Sequence, residues 1–217
     1  MIPIVFDLDG TLIDSLPDIT GAANALLHEE GQPPLGPETV AGFIGLGERV
    51  FLDRLIAATA LAEADFERLM PRFIEHYRGA TGNTRLFPGV REAIDHFRSV
   101  GVPLALCTNK PAAPLWPVLE AVGLREDFDV IVAGDTLPTR KPDPAPMRHI
   151  LGELGVATCI YVGDSETDAE TARRAGVPFV FFTEGIRQSP VEAIPHAMAF
   201  SDFAALPAIY EAVSATL

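Results

Sequence analysis

The sequence predicts an α/β fold: a doubly wound parallel sheet into which a small α-helical domain is inserted. Three observations carry this. Short apolar runs rich in β-branched residues recur along the chain, and stretches of helical length separate most of them. Residues 15–84, by contrast, show helical spacing with no strand-like run. With 217 residues, 48% of them hydrophobic, the chain can bury a large core without disulfide or metal staples.

The first run, residues 2–6, ends abruptly in Asp7-Leu8-Asp9-Gly10-Thr11, where acids and glycine replace hydrophobes. This pattern predicts a buried strand feeding a loop. The insertion follows. Its apolar residues fall at helical spacing, as in Val50, Phe51 and Leu55 or Phe66, Leu69, Met70 and Phe73, and residues 79–83 near its end have the composition of a hinge. From residue 85 onward, helical stretches at 90–100, 112–122, 145–154 and 166–175 alternate with apolar runs at 102–107, 128–133, 158–162 and 177–182. Such alternation predicts right-handed βαβ units and a sheet covered on both faces. Gly101, Gly123, Gly155 and Gly176 are candidate helix C-caps. The division expected is a core of residues 1–14 and 85–217 and a helical domain of residues 15–84.

The net charge is −14, which repels nucleic acid phosphates and anionic membranes, so neither is an expected partner. Any phosphate site must therefore bring its own local positive charge. Cys107 and Cys159 are the only cysteines and lack metal or disulfide spacing, which predicts two buried free thiols. No Lys or Arg precedes Arg49, and no apolar run approaches the roughly 18 to 20 residues that span a bilayer. A soluble cytoplasmic protein is expected.

In an open parallel sheet, ligands bind beyond the carboxyl ends of the strands. Four strand ends carry polar residues here: Asp7 and Asp9, then Thr108-Asn109-Lys110, then Gly134-Asp135, then Gly163-Asp164 with Asp168. Lys141 lies close by in Thr139-Arg140-Lys141-Pro142-Asp143-Pro144. Lys110 and Lys141 are the only lysines against fourteen arginines; a compact ammonium is retained at two places where arginine could have supplied charge.

At these residues the chain resembles the haloacid dehalogenase superfamily. Asp7-Leu8-Asp9-Gly10-Thr11-Leu12 is similar to its first motif, Thr108-Asn109 to its second, Lys141-Pro142-Asp143-Pro144 to its third, and Gly163-Asp164-Ser165-Glu166-Thr167-Asp168 to its fourth. The resemblance covers the whole chain and implies a Rossmann-like core with a mobile helical cap. It also implies phosphoryl transfer in which Asp7 attacks phosphorus to form an aspartyl phosphate and Asp9 serves as acid and base. Asp7, Asp164 and the carbonyl oxygen of Asp9 would hold Mg²⁺, with Asp168 supporting the site from behind. Two like charges about 4 Å apart repel by roughly 4 kcal/mol at an effective dielectric of 20, so such an acidic cluster favours a bound cation. Thr108, backbone N–H groups near Asn109, and Lys141 would hold the phosphoryl oxygens.

Asp9 argues against carbon–halogen cleavage within this superfamily, and the absence of lysine from residues 15–84 argues against phosphonate cleavage by a Schiff base. The motif residues, together with Phe43-Ile44-Gly45-Leu46-Gly47 and Phe87-Pro88-Gly89-Val90, look like the branch that acts on 2-phosphoglycolate. Arg49 is the candidate for a contact to the substrate carboxylate, with Arg54 behind it. Phosphatases for sugar phosphates or nucleotides, a phosphosugar mutase, and a non-catalytic phospholigand-binding protein remain alternatives. Monomer and homodimer both remain open.

Overall fold

In the computed structural model, which describes residues 1–217, all five apolar runs become strands of one parallel sheet. They are β1 (Ile4–Phe6), β4 (Leu104–Cys107), β5 (Val130–Val132), β6 (Ile160–Gly163) and β7 (Phe179–Phe182). A sixth strand, β8 (Met198–Phe200), extends the edge, giving the order β5-β4-β1-β6-β7-β8. Chain order reverses at β1, between β4 and β6, so the residues that follow β1 sit at the topological switch point. A two-stranded antiparallel ribbon pairs β2 (Ile13–Asp14) with β3 (Arg85–Leu86), joining the two chain segments that lead to and from the insertion.

The sheet sorts its side chains by alternation. Ile4, Phe6, Leu104, Leu106, Ile160 and Val162 face one apolar layer, which helices α5 (Val90–Ser99), α6 (Ala112–Ala121) and α9 (Leu206–Ser214) complete. Val5, Ala105, Cys107, Tyr161 and Phe181 face the other, covered by α7 (Ala145–Glu153) and α8 (Glu166–Ala175). Strands buried on both faces read as continuous hydrophobic runs, which is why β1, β4, β6 and β7 were legible. Each fully buried Leu or Phe in these layers contributes about 1.5–3 kcal/mol relative to exposure. All four candidate C-cap glycines take positive φ, and both cysteines are buried and free.

Residues 15–84 form α1 (Leu16–Glu29), α2 (Pro37–Ala41), α3 (Glu48–Ala57) and α4 (Phe66–Gly79) around an apolar cluster of their own. Phe51 and Phe73 stack at 4.8 Å between ring centroids, and Tyr77 continues the stack at 5.7 Å. Where the chain enters and leaves these helices, Asp18 ties the two linkers together. Its carboxylate accepts hydrogen bonds from the N–H groups of Asn83 and Thr84 and from both of their side chains, at 2.6 to 3.1 Å. No helix is long and apolar enough to cross a membrane.

Candidate active site

A cavity opens at the carboxyl end of β1, between the sheet and the helical insertion. Asp7, Asp9, Thr108, Asn109, Lys110 and Lys141 line it from the sheet side. From the insertion come Ile44, Gly45, Gly47 and Glu48 at the start of α3, with Phe51, Phe73 and Tyr77 behind them. The glycine-containing stretch at residues 42–47 thus forms a roof over the site rather than following a strand of the sheet.

Asp7 lies directly past β1 and is 8% exposed. Ligand-capable oxygens of Asp7, Asp164 and Asp168 fall within 4.8 Å of one another. Lys141 Nζ stands 2.8 Å from Asp7 Oδ1 as an ion pair without hydrogen-bond alignment, so that buried oxygen has no donor. Burial pushes the Asp7 carboxyl up to about 7, against the pull of the Lys141 ammonium and with help from the charge of Asp168. Asp164 is raised well above the ordinary range by burial and by the charges of Asp168 and Asp7.

The Asp164 carboxylate accepts from the Thr11 hydroxyl and the Ile186 N–H, both at 2.6 Å. Gly10 makes this approach possible: it takes φ +87°, and a Cβ there would stand 2.2 Å from Asp164 Oδ2. Asp168 is surrounded by donors. Lys141 Nζ (2.7 Å) and the Tyr161 hydroxyl (2.6 Å) reach Oδ1, while the Ser165 hydroxyl (2.6 Å) and backbone N–H groups of Asp164 and Ser165 reach Oδ2. Burial pushes Asp168 upward, but Lys141, Ser165 and Tyr161 outweigh it and hold the carboxyl below its usual value. Asp168 is therefore spent on orienting Lys141 and capping α8, whereas Asp7 keeps an oxygen without a donor.

A divalent cation fits this donor set. The orphaned Asp7 oxygen and the packing of three buried carboxylates call for positive charge beyond what Lys141 supplies, and hard oxygen donors suit Mg²⁺ or a similar ion.

On the other wall, Asp9 accepts from the Ser15 hydroxyl at 2.6 Å and pairs with Lys110 Nζ at 3.0 Å. Lys110 also donates to the Tyr77 hydroxyl and stands 4.1 Å from the centre of that ring. Burial pulls Lys110 below the usual lysine range while Asp9 opposes the shift. Thr108 lines the cavity with its hydroxyl accepting from the Lys110 N–H. The Asn109 side chain is committed elsewhere: it donates to the carbonyls of Gly45 and Lys141 at 2.9 Å each and accepts from the Lys141 N–H. What Asn109 can offer a ligand is its own N–H, which has no protein acceptor.

Of the residues singled out from sequence, the fold brings Asp7, Asp9, Thr108, Asn109, Lys141, Asp164 and Asp168 together, and leaves Arg49 outside. Arg49 is exposed on α3, bonded to Glu67 at 3.0 Å and stacked over Phe66, and it does not line the cavity. Arg54 is turned to the Gly42 carbonyl at 2.7 Å. Tyr77, Tyr161 and Glu48 were not foreseen, and no sequence signal separates them from ordinary helix and strand residues. Lys110 had two signals, its place at the end of a strand and the scarcity of lysine.

The family model described as Haloacid dehalogenase-like hydrolase matches residues 4–182. The phosphoglycolate phosphatase of Cereibacter sphaeroides is 45% identical over 207 residues, covering 94% of this chain and 95% of that protein. That of Rhodobacter capsulatus is 41% identical over 211 residues, covering 96% of each. A crystal structure from Haemophilus somnus, described as a predicted phosphoglycolate phosphatase, superposes with a TM-score of 0.91 at 32% identity, over 96% of this chain and 97% of that one. Fold, site and sequence agree: the chain belongs to the haloacid dehalogenase-like hydrolases, as an enzyme of their phosphatase branch.

Proposed function

We propose that the chain is a Mg²⁺-dependent phosphomonoesterase that hydrolyses 2-phosphoglycolate through an aspartyl phosphate on Asp7. The observation that carries this reading is the buried, donorless Asp7 oxygen on the cavity wall, with Asp9 two residues on and Lys141 2.8 Å away. The similarity to phosphoglycolate phosphatases over nearly the whole chain supports the substrate.

In the first step an Asp7 oxygen forms a bond to phosphorus while the ester P–O bond breaks, and Asp9 gives its proton to the departing glycolate oxygen. In the second, water attacks the same phosphorus, Asp9 takes its proton, and the bond to Asp7 breaks to free phosphate. The Thr108 hydroxyl, the Asn109 N–H and the Lys141 ammonium hold the equatorial oxygens as charge develops on them. Asp7, Asp164 and the Asp9 carbonyl would hold Mg²⁺, which when bound offsets the charge of the phosphoryl oxygens. Residues 1–14 and 85–217 act as the catalytic core and residues 15–84 as a cap that excludes water when shut. The reaction belongs to the cytoplasm, on a small free metabolite.

The test is phosphate release by wild type and Asp7→Asn from 2-phosphoglycolate, sugar phosphates, nucleotides and an aryl phosphate, with Mg²⁺ and with chelator. Release that needs metal and Asp7 and is fastest on 2-phosphoglycolate is expected. Preference for a sugar phosphate would overturn the substrate, and turnover by Asp7→Asn would overturn the nucleophile.

A further inference from the structure

We propose that Lys110 is the substrate-recognition residue for the second anionic group of the substrate, a carboxylate lying just beyond the scissile ester. This rests on the reading of the chain as a phosphatase for 2-phosphoglycolate, and it assigns to one side chain the specificity that the catalytic machinery leaves open.

Three observations lead there. First, a substrate carrying a phosphate and a carboxylate needs two cationic regions, and only two cationic side chains line the cavity, Lys141 and Lys110. Lys141 is held by Asp7 and Asp168 on the phosphoryl side. The arginines nearest the roof are occupied elsewhere: Arg49 with Glu67, Arg54 with the Gly42 carbonyl, and Arg140 with Glu48 at 2.9 Å.

Second, Lys110 stands where the carboxylate must fall. The leaving oxygen has to meet Asp9, and Lys110 Nζ is 3.0 Å from Asp9 Oδ1. In a glycolate leaving group the carboxylate is attached one carbon from that oxygen, so a group that touches Asp9 can touch both. An ammonium carries three hydrogens. Asp9 Oδ1 at 3.0 Å and the Tyr77 hydroxyl hold two of them, and the third reaches only the long contact to Asp9 Oδ2 at 3.4 Å, which a substrate carboxylate can take over.

Third, the surroundings make the contact selective. The Lys110 side chain is fully buried, and Phe51, Phe73 and the Tyr77 ring wall this part of the cavity. A charge pair is stronger in such a medium than in water, and a leaving group without a carboxylate forgoes it. A compact ammonium stands 4.1 Å from the centre of the Tyr77 ring at one of the two lysines in a chain that otherwise uses arginine.

The experiment compares kcat/KM on 2-phosphoglycolate with that on ethyl phosphate, whose leaving alcohol has two carbons and no carboxylate. Wild type, Lys110→Met and Lys110→Arg are assayed, and inhibition by glycolate and by inorganic phosphate is measured in each. Wild type should favour 2-phosphoglycolate, and in Lys110→Met the preference should fall about 100-fold, chiefly through KM, as expected when a charge-assisted contact is lost. Glycolate inhibition should weaken in parallel, while the inhibition constant of phosphate moves less than about 3-fold. Lys110→Arg should recover part of the preference. Should Lys110→Met fail to fold, Lys110→Gln, which keeps a polar contact to Asp9, carries the same comparison. An unchanged preference, or equal losses of glycolate and phosphate inhibition, would overturn the assignment while leaving the proposed substrate standing. A wild type that does not favour 2-phosphoglycolate over ethyl phosphate would overturn the substrate and the assignment together.

Discussion

Asp7 and Asp9 are two residues apart and meet opposite surroundings. Asp7 points into a buried group of carboxylates with one lysine, whereas Asp9 is held by the Ser15 hydroxyl and the Lys110 ammonium. The consequence for Asp7 is a pKa raised from 3.8 to about 7. Because the folded value lies above the unfolded one, the metal-free protein binds a proton on folding, and its stability from this group declines as pH rises from about 4 to about 7. Asp164 shifts in the same direction. A divalent ion must displace those protons. The rise in Tm on adding Mg²⁺ should therefore be largest above pH 7 and shrink below about pH 6, which calorimetry with and without the ion would measure. A rise independent of pH would mean that the ion binds elsewhere. At this scale most of the site was legible, since Asp7, Asp9, Lys141 and Asp164 stand in ordered motifs at strand ends. Tyr161 and Tyr77 were not: a tyrosine that donates to Asp168 and one that accepts from Lys110 look in sequence like any core aromatic. Arg49 misled because its position on α3 fixes the helix but not the face, and its guanidinium finds Glu67 on the exposed side.

Among the elements, the linkers between core and insertion are the most informative. Asp18, in the first turn of α1, is buried and accepts five hydrogen bonds from Asn83 and Thr84, which hold its carboxyl below the ordinary range against the effect of burial. Together with the pairing of β2 and β3, this clamp keeps the two crossing points side by side while the helices beyond them remain a separate packing unit. Asp18→Ala leaves the buried donor of Thr84 without its acceptor and should lower stability by about 1–3 kcal/mol in urea unfolding, with faster proteolysis at residues 79–84. Unaltered stability and proteolysis would show that β2 and β3 suffice. β1, β4, β6 and β7 were legible because burial on both faces makes them unbroken apolar runs, and β5, at the sheet edge with only Val132 buried, was legible from its β-branched residues. β8 was not, since its Met198-Ala199-Phe200 carries no β-branched residue, and the two-residue strands β2 and β3 are too short for any periodicity.

For the whole molecule, the cavity lies where the insertion meets the sheet, and polar contacts join the two sides around it. Asn109 donates to the Gly45 carbonyl, Arg140 pairs with Glu48, and Lys110 meets Tyr77. These contacts hold the insertion, with Phe51, Phe73 and Tyr77, over the cavity, and the proposed movement of the cap requires them to part. A reducible crosslink between α3 and the loop at Arg140 should abolish turnover, and reduction should restore it. Full turnover in the crosslinked protein would rule out such opening. The acidic background of −14 gives this enclosure a purpose beyond drying, because an anionic substrate is held only where Lys141, Lys110 and a cation act at short range. The most direct measurement on the chemistry itself is to quench a turnover of 2-phosphoglycolate by wild type and by Asp9→Asn and to map the phosphoryl group by peptide mass spectrometry. It should be found on Asp7 in wild type, and in Asp9→Asn, which lacks both the proton for the departing oxygen and the base for water, the adduct on Asp7 should form and decay more slowly. Steady product formation with no adduct on Asp7, or an adduct on another residue, would contradict nucleophilic catalysis by Asp7.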